Sequence, residues 1–481
     1  MTGPNRGTTA LLTVLLTGQA MASMDTSIAA VAATAIRADL AGPPAVQQLV
    51  LAGYTLTFAV LVVTGARLGA RHGYARVFRF GLAGFTLASL ACGLAPGPVA
   101  LVLARAAQGA AGALLVPQVL SLIQTRMGGA ARARAIGAYA MVLALGVAAG
   151  QVAGGLLVTL DLAGLSWRTA FLVNVPVGAV LLVAGRRVLA GPPGPPGPPP
   201  RREGLDVPGV LLLSAAMLTL VGPLVVGRDL GWPGWTTPVA VAVGAAGLWF
   251  FLRYEAGRAR RGADPLLDVT VLRRPGVATG LLACCVVMGC YAGFLFVLTL
   301  RLQDGLGFTA LAAGLAFVPY AAGFAVCGLA VPRLPERIGR RLPVAGPLVL
   351  AAVVLALAGL ARTGWPWPAG SVLLLAGGAA HAASFSPLVT RLTASVPAGA
   401  AAALSALVST GTLLAAVLGV TLIGGLHLAR PGTPAAPAAL TAALLLAGAL
   451  AARRTLGTAA PTPVRPEVGA DHLVSRSETG Q

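Results

Sequence analysis

Residues 19–36 read QAMASMDTSIAAVAATAI, and Asp25 lies among them, inside an apolar run long enough to cross a bilayer as a helix. The chain holds 14 acidic residues. By their place in the apolar pattern the others fall in loops, at the ends of runs or in the tail, and Asp25 alone sits well inside a run. An ionised carboxylate at the centre of a membrane helix costs about 2.5–3.5 kcal/mol on insertion scales. It needs a partner, a proton or water. The plain reading is a structural aspartate bonded to a neighbouring helix; the functional reading is a proton or cation site.

The surrounding chain suits the same environment. Of 481 residues, 57% are hydrophobic and 10% charged, against about 25% charged in soluble domains; the mean hydropathy is +0.85. Apolar runs cover roughly 10–35, 46–66, 77–95, 99–124, 135–159, 169–188, 207–227, 237–252, 276–300, 310–331, 343–361, 369–390, 402–426 and 437–452. They predict an all-α polytopic membrane protein with 14 spans. The first run has a leader-like VAATA, but its length and Asp25 make it a retained span. The net charge of +20 does not point to nucleic acid, because the arginines sit in short clusters between the runs and no basic domain exists. Cys92, Cys284, Cys285, Cys290 and Cys327 fall inside runs with no histidine near them in sequence, so neither a metal site nor a cofactor is predicted.

Arginine sets the orientation. With the N-terminus in the cytoplasm, the inner loops and ends carry 27 arginines and the outer loops six. That asymmetry predicts both termini inside and an even number of spans. The remaining arginine, Arg105, lies within the fourth run. Counted from the outer ends of their runs at ~1.5 Å per residue, Asp25 and Arg105 both lie roughly 10–15 Å deep. A pair between them is geometrically allowed, as a structural salt bridge or as part of a site.

Two halves are legible. LGARHG (68–73) aligns with LPERIG (334–339), each preceded by arginine, Arg67 and Arg333. The same offset lays the first and second runs over the ninth and tenth, and Asp25 over Tyr291. The expected division is an N-terminal six-helix bundle (1–190), a Pro/Gly-rich cytoplasmic linker (191–206) with GPPGPPGPPP, two inserted spans with a cytoplasmic loop (207–275), a C-terminal six-helix bundle (276–454) and a disordered tail (455–481). Related bundles with a site between them are a transporter architecture.

Three stretches carry further pattern. In LVLARAAQGAAGALLVPQ, Arg105, Gln108, Gly109 and Gly112 share one helix face, polar and small, suited to a cavity or to close packing. In GVAAGQVAGG, Gly146, Gly150 and Gly154 recur every four residues with Gly155 beside them, so another helix can approach closely, either as plain packing or as a sliding surface. GARLGARHGYAR places Gly65, Gly69 and Gly73 among Arg67, Arg71 and Arg76, which reads as a tight cytoplasmic turn.

These stretches together resemble the 14-span drug:proton antiporter family of the major facilitator superfamily. MDTSIAAVA resembles its first-span aspartate motif, GARLGARHGYAR the loop motif G-x-L-x-D-R-x-G-R, LVLARAAQGAAGA the motif L-x-x-x-R-x-x-Q-G, and GVAAGQVAGG the antiporter motif G-x-x-x-G-P-x-x-G-G. WRTAFLVNVPVG (167–178) and RLQDGLGFTALAAGLAFVP (301–319) match family segments too. Two positions depart: the loop aspartate is Ala70, while the second-half copy keeps an acid as Glu336, and the antiporter proline is Gln151. The resemblance implies proton-driven efflux of lipophilic small molecules by alternating access, from the cytoplasmic membrane, by a monomer with no cofactor beyond the proton gradient. Asp25 and Arg105 would couple the proton. Gln19, Tyr54, Gln108, Gln118, Tyr291, Tyr320 and His381 would line the cavity, although a lone histidine in a span is often only a bond between helices. The glycines, Arg71, Arg76 and Glu336 would serve gating. Uptake of a metabolite, or a transport-inactive receptor or scaffold on the same fold, are the competing readings. No H-E-x-x-H or G-x-S-x-G motif supports an enzyme.

Overall fold

The computed structural model describes residues 6–43, 45–189, 206–227, 230–360, 364–397, 400–430 and 433–458. The GPPGPPGPPP linker and the tail beyond residue 458 lie outside them. The described residues are helical, with no strand among them. Helices α1 (Arg6–Asp39), α2 (Ala45–His72), α3 (Tyr74–Gly93), α4 (Pro98–Arg126), α5 (Gly129–Leu160) and α6 (Arg168–Val188) come first. A pair follows, α7 (Val207–Val226) and α8 (Thr236–Arg260). Then come α9 (Val277–Leu300), α10 (Ala310–Ala330), α11 (Leu342–Leu360), α12 (Ala369–Ala394), α13 (Ala401–Gly419) and α14 (Ala435–Thr458).

Among the described residues, 12 of these helices are long and apolar enough to cross a membrane. The other two are α1 and α5. The centre of α1 carries Gln19, Ser23, Asp25, Thr26 and Ser27, which lower its mean hydropathy, and parts of α5 lie outside the described side chains. Prolines shape two helices. α6 breaks between Leu172 and Asn174, just before Pro176, and α10 breaks at Phe317, just before Pro319, as expected where a ring removes an amide donor.

The packing recurs along the chain. α1 packs on α5, α2 on α4, and α3 on α4 and α6; in the same order α9 packs on α13, α10 on α12, and α11 on α12 and α14. The two sets meet through α2 with α13 and α5 with α10. The α7–α8 pair packs against α2, where Leu213, Met217, Leu220 and Phe251 join Leu56 and Val60 in one apolar cluster that also takes in Leu404 and Leu407 of α13.

One expectation changes. Gly65 and Gly69 do not form a turn, because α2 continues to His72. A Cβ at Gly65 would fall 2.0 Å from the Ala113 carbonyl oxygen, and one at Gly69 1.9 Å from Gln118 Oε1. These glycines exist to let α2 lie against α4. Only Gly73, at φ 92°, makes the turn into α3.

Candidate functional site

Asp25 and Arg105 meet. Arg105 Nη1 donates to Asp25 Oδ2, and both side chains are wholly buried. Gln108 stands between them: its Oε1 accepts from Arg105 Nη1 at 2.6 Å and its Nε2 donates to Asp25 Oδ1 at 2.8 Å. Asn174 Nδ2, at the kink of α6, donates to the same Oδ1 at 3.1 Å. Arg105 Nε donates to the Val50 carbonyl oxygen at 2.9 Å, and the guanidinium lies over the Tyr54 ring (4.5 Å) and the Phe171 ring (5.5 Å). Gln108 Nε2 also reaches Ser89 Oγ at 2.8 Å.

Small residues bring these groups together. A Cβ at Gly109 would sit 2.2 Å from the Tyr54 carbonyl oxygen, so only glycine allows α2 to place Tyr54 beside Arg105. On the other side of α1, Cβ atoms at Gly146, Gly150 and Gly154 would meet Ser23 Cβ at 2.7 Å, the Met24 carbonyl oxygen at 2.6 Å and Ile28 Cα at 2.9 Å. The glycine face of α5 is thus the bed of the stretch that carries Asp25. Gly155 turns the other way, within 2.5 Å of the Ala310 carbonyl oxygen for a Cβ, and joins α5 to α10. Gln303 Nε2 to the Val31 carbonyl (3.1 Å) and Leu311 N to Thr159 Oγ1 (3.2 Å) tie the two sets of helices at the same end.

The arrangement holds a carboxylate in low dielectric with three donors on it, two on Oδ1 and one on Oδ2. A buried pair of this kind gains little over an apolar one, but breaking it by removing one partner costs about 3–5 kcal/mol. One donor remains over: Arg105 Nη2 is buried without a hydrogen-bond partner among the described residues. The site is closed to solvent, so protonating Asp25 requires the helices to part or water to enter.

The other predicted residues divide into groups. Tyr291, Tyr320 and His381 converge: Tyr320 Oη lies 3.1 Å from His381 Nδ1, the tyrosines stack at 5.7 Å, and the imidazole lies 4.5 Å from Tyr291 and 4.9 Å from Phe324. Gln19 donates to Ser23 Oγ at 3.0 Å on its own helix. Gln118 donates to the Gly65 carbonyl at 2.8 Å and serves the α2–α4 contact. Arg71 and Arg76 lie at the end of α2 and the start of α3, either side of Gly73. Glu336 is exposed and pairs with Arg340 one turn on, at 2.7 Å. An apolar crevice between α9, α11 and α14, lined by Phe294, Leu298, Val354 and Thr441, contains none of the predicted residues. Asn174, Ser89 and Phe171 were not singled out from sequence. The signal for Asn174 was available, as an amide in an apolar run two residues before a proline.

A family profile described as Major Facilitator Superfamily matches residues 15–420. The probable actinorhodin transporter of Streptomyces coelicolor is 39% identical over 348 residues, 72% of this chain and 59% of that protein, so the chain spans less than two thirds of that relative's length. The cephamycin export protein of Amycolatopsis lactamdurans is 38% identical, over 72% of this chain and 69% of its own. The multidrug resistance protein Stp of Mycobacterium tuberculosis is 32% identical, over 86% and 75%. A solved peptide transporter in complex with sulfate superposes with a TM-score of 0.66 at 16% identity, over 93% of this chain and 94% of that one, a likeness of fold. With a profile that runs from the helix of Asp25 to the end of α13, the chain belongs to the major facilitator superfamily.

Proposed function

We propose that this protein exports lipophilic, antibiotic-like small molecules across the cytoplasmic membrane in exchange for protons, by alternating access. The observation that carries the reading is the sealed network of Asp25, Arg105, Gln108 and Asn174. A small helix movement that parts these donors from Asp25 and lets water reach it can bind or release a proton. At a membrane potential of 100 mV each charge moved supplies roughly 2.3 kcal/mol. The names of the three relatives, each an exporter, transporter or resistance protein, support the direction and the class of cargo.

Several finer points belong to the same proposal. The chain is a 14-span drug:proton antiporter, with α1 and α5 crossing alongside the other 12 helices; their 34 and 32 residues are long enough for it. The repeated packing supports two six-helix bundles, α1–α6 and α9–α14, with α7–α8 inserted. The arginine asymmetry supports cytoplasmic termini. The cargo contacts come from Tyr54 in the first bundle and from the aromatic group of Tyr291, Tyr320 and His381 in the second. Gly150 and its neighbours, with Gly155 against α10, form the surface that moves, and Glu336 acts at the cytoplasmic side. The working unit is a monomer without cofactor, and no step is enzymatic.

The test is transport by purified protein in proteoliposomes, with a fluorescent lipophilic antibiotic as cargo. A pH gradient that delivers protons through the protein should drive the cargo the opposite way, uphill. Movement indifferent to an imposed pH gradient, or in the same direction as the protons, overturns the reading.

A further inference from the structure

A pair of buried carboxylates lies where α7 begins and α8 ends. Asp206 caps α7: its Oδ1 accepts from Gly209 N at 3.0 Å and from Tyr254 Oη at 3.1 Å. Its Oδ2 accepts from Leu266 N at 3.3 Å and faces Arg258 Nε at 3.2 Å. Glu255 Oε2 accepts from Leu267 N at 2.8 Å. Asp206 is 2% exposed and Glu255 0%.

The other Glu255 oxygen, Oε1, is buried with no hydrogen-bond partner among the described residues. It aims at Asp206. A Cβ on Gly209 would lie 2.6 Å from Asp206 Oδ2 and 2.7 Å from Glu255 Oε1, so the two oxygens face each other across a point that only glycine leaves empty. The carboxyls are close enough to share a hydrogen bond. Among the described residues Arg258 is the cation paired with these acids, and Phe251, Leu266 and Leu267 belong to the apolar cluster beside them. Like charges in such a place do not both ionise cheaply. One proton between them removes the repulsion and joins Oε1 to Asp206 by a hydrogen bond.

We propose that Asp206 and Glu255 form a second proton-binding site, sharing one proton, that fastens the 264–271 segment to the ends of α7 and α8. The segment is held from the other side by α2, where Arg67 Nη2 donates to the Pro265 carbonyl and, at 3.4 Å, to that of Leu266. Leu266 therefore receives Asp206 on its amide and Arg67 on its carbonyl. Among the described residues the charged groups facing the pair are Arg258 from α8 and Arg67 from α2 beyond the segment. Within the segment Asp264 offers its backbone carbonyl to Arg258 Nη2 at 3.1 Å, and Asp268 is engaged with Thr270. Loss of the proton sets the two anions against each other beside Arg258 and loosens the segment from the ends of α7 and α8. The site is separate from Asp25 and does not depend on the direction of transport.

The test uses the full-length protein in lipid nanodiscs, with Asp25→Asn to remove the carboxylate of the other site. Infrared difference spectra between acidic and alkaline pH should show a protonated-carboxyl C=O band that vanishes on alkalinisation. The band should be missing from Glu255→Gln and from Asp206→Asn. A nitroxide on Ala263→Cys, with the five native cysteines replaced, should gain mobility over the same pH range, and stay immobile throughout in Glu255→Gln. A band that survives both substitutions, or label mobility indifferent to pH while both carboxylates are present, overturns the proposal. If the substituted proteins do not fold, the absence of any titrating carboxyl band in the Asp25→Asn protein overturns it equally.

Discussion

Gln108 holds Asp25 and Arg105 at once, accepting from the arginine at 2.6 Å and donating to the aspartate at 2.8 Å. An amide can do this because it carries a donor and an acceptor on one rigid group. Hydrogen bonds to charged groups contribute about 1.5–3 kcal/mol each. Gln108→Leu keeps the bulk and removes both bonds, so efflux in proteoliposomes should fall by about tenfold or more while the protein still folds and inserts. Undiminished efflux would show the bridge to be dispensable.

Asn174 supplies the third side chain on Asp25, at 3.1 Å. Asn174→Leu leaves Oδ1 with Gln108 as its remaining side-chain donor. The expected result is a defect in pH-driven efflux smaller than that of Gln108→Leu, with downhill exchange kept. A larger loss of downhill exchange than of pH-driven efflux would place Asn174 in the cargo path instead.

The readability of these residues follows their cost. A charge inside an apolar run is expensive enough to be rare, so Asp25 and Arg105 stood out, and helical spacing put Gln108 beside Arg105. An amide costs far less, so Asn174 contrasted less sharply with its run, and its place two residues before Pro176 was the remaining signal. Tyr291, Tyr320 and His381 were candidates one by one, and their convergence depends on how α9, α10 and α12 pack, which no local pattern encodes. Glu255 was hidden by its neighbours. Arg253, Arg258 and Arg260 make the end of α8 look solvated, yet the helix runs on and folds the 264–271 segment over the carboxylate. Gly65 and Gly69 looked like turn residues because glycine and arginine alternate there; only the α4 backbone opposite gives them their purpose.

Gly150 tests the bed of α1. Its missing Cβ would meet the Met24 carbonyl oxygen at 2.6 Å and Ser27 Cβ at 2.9 Å, on either side of Asp25 in sequence. Backbone cannot yield as a side-chain end can. Gly150→Ala should lower thermal stability, typically by about 1–3 kcal/mol for overpacking, and Gly150→Leu should block transport while leaving membrane insertion intact. Full transport by Gly150→Leu would mean that α1 and α5 separate readily.

Acid should loosen one clasp outside the spans. Asp39, at the end of α1, accepts from Arg168 Nη1 at 2.5 Å and from Trp167 Nε1 at 2.9 Å. The Arg168 bond above all, then that of Trp167, holds its carboxyl below the usual 3.8. A folded-state value below the unfolded one means stability that is present above pH 3.8 and is lost as pH falls through the lowered folded value. Asp39→Asn should therefore melt earlier than the native protein at pH 7, by a small margin because the pair is partly exposed, and the two should converge in strong acid. Equal melting at neutral pH would show that the clasp contributes nothing.

The reading as a proton-coupled exporter depends most on Asp25. Its partners are Arg105, Gln108 and Asn174, and no solvent reaches it in this conformation. Asp25→Asn keeps the shape and removes the titratable group. Alternation would then need no proton, so downhill exchange of cargo should persist while accumulation driven by a pH gradient is abolished. Arg105→Ala does something different: it leaves a buried carboxylate without its charge, and a cost of about 3–5 kcal/mol should appear as lost stability as well as lost transport. The double substitution Asp25→Asn with Arg105→Gln removes both charges together and should recover most of that stability without recovering coupling. The decisive measurement is uphill accumulation in proteoliposomes under an imposed pH gradient. If Asp25→Asn still concentrates cargo, Asp25 is a structural partner of Arg105, and the coupled proton must bind elsewhere.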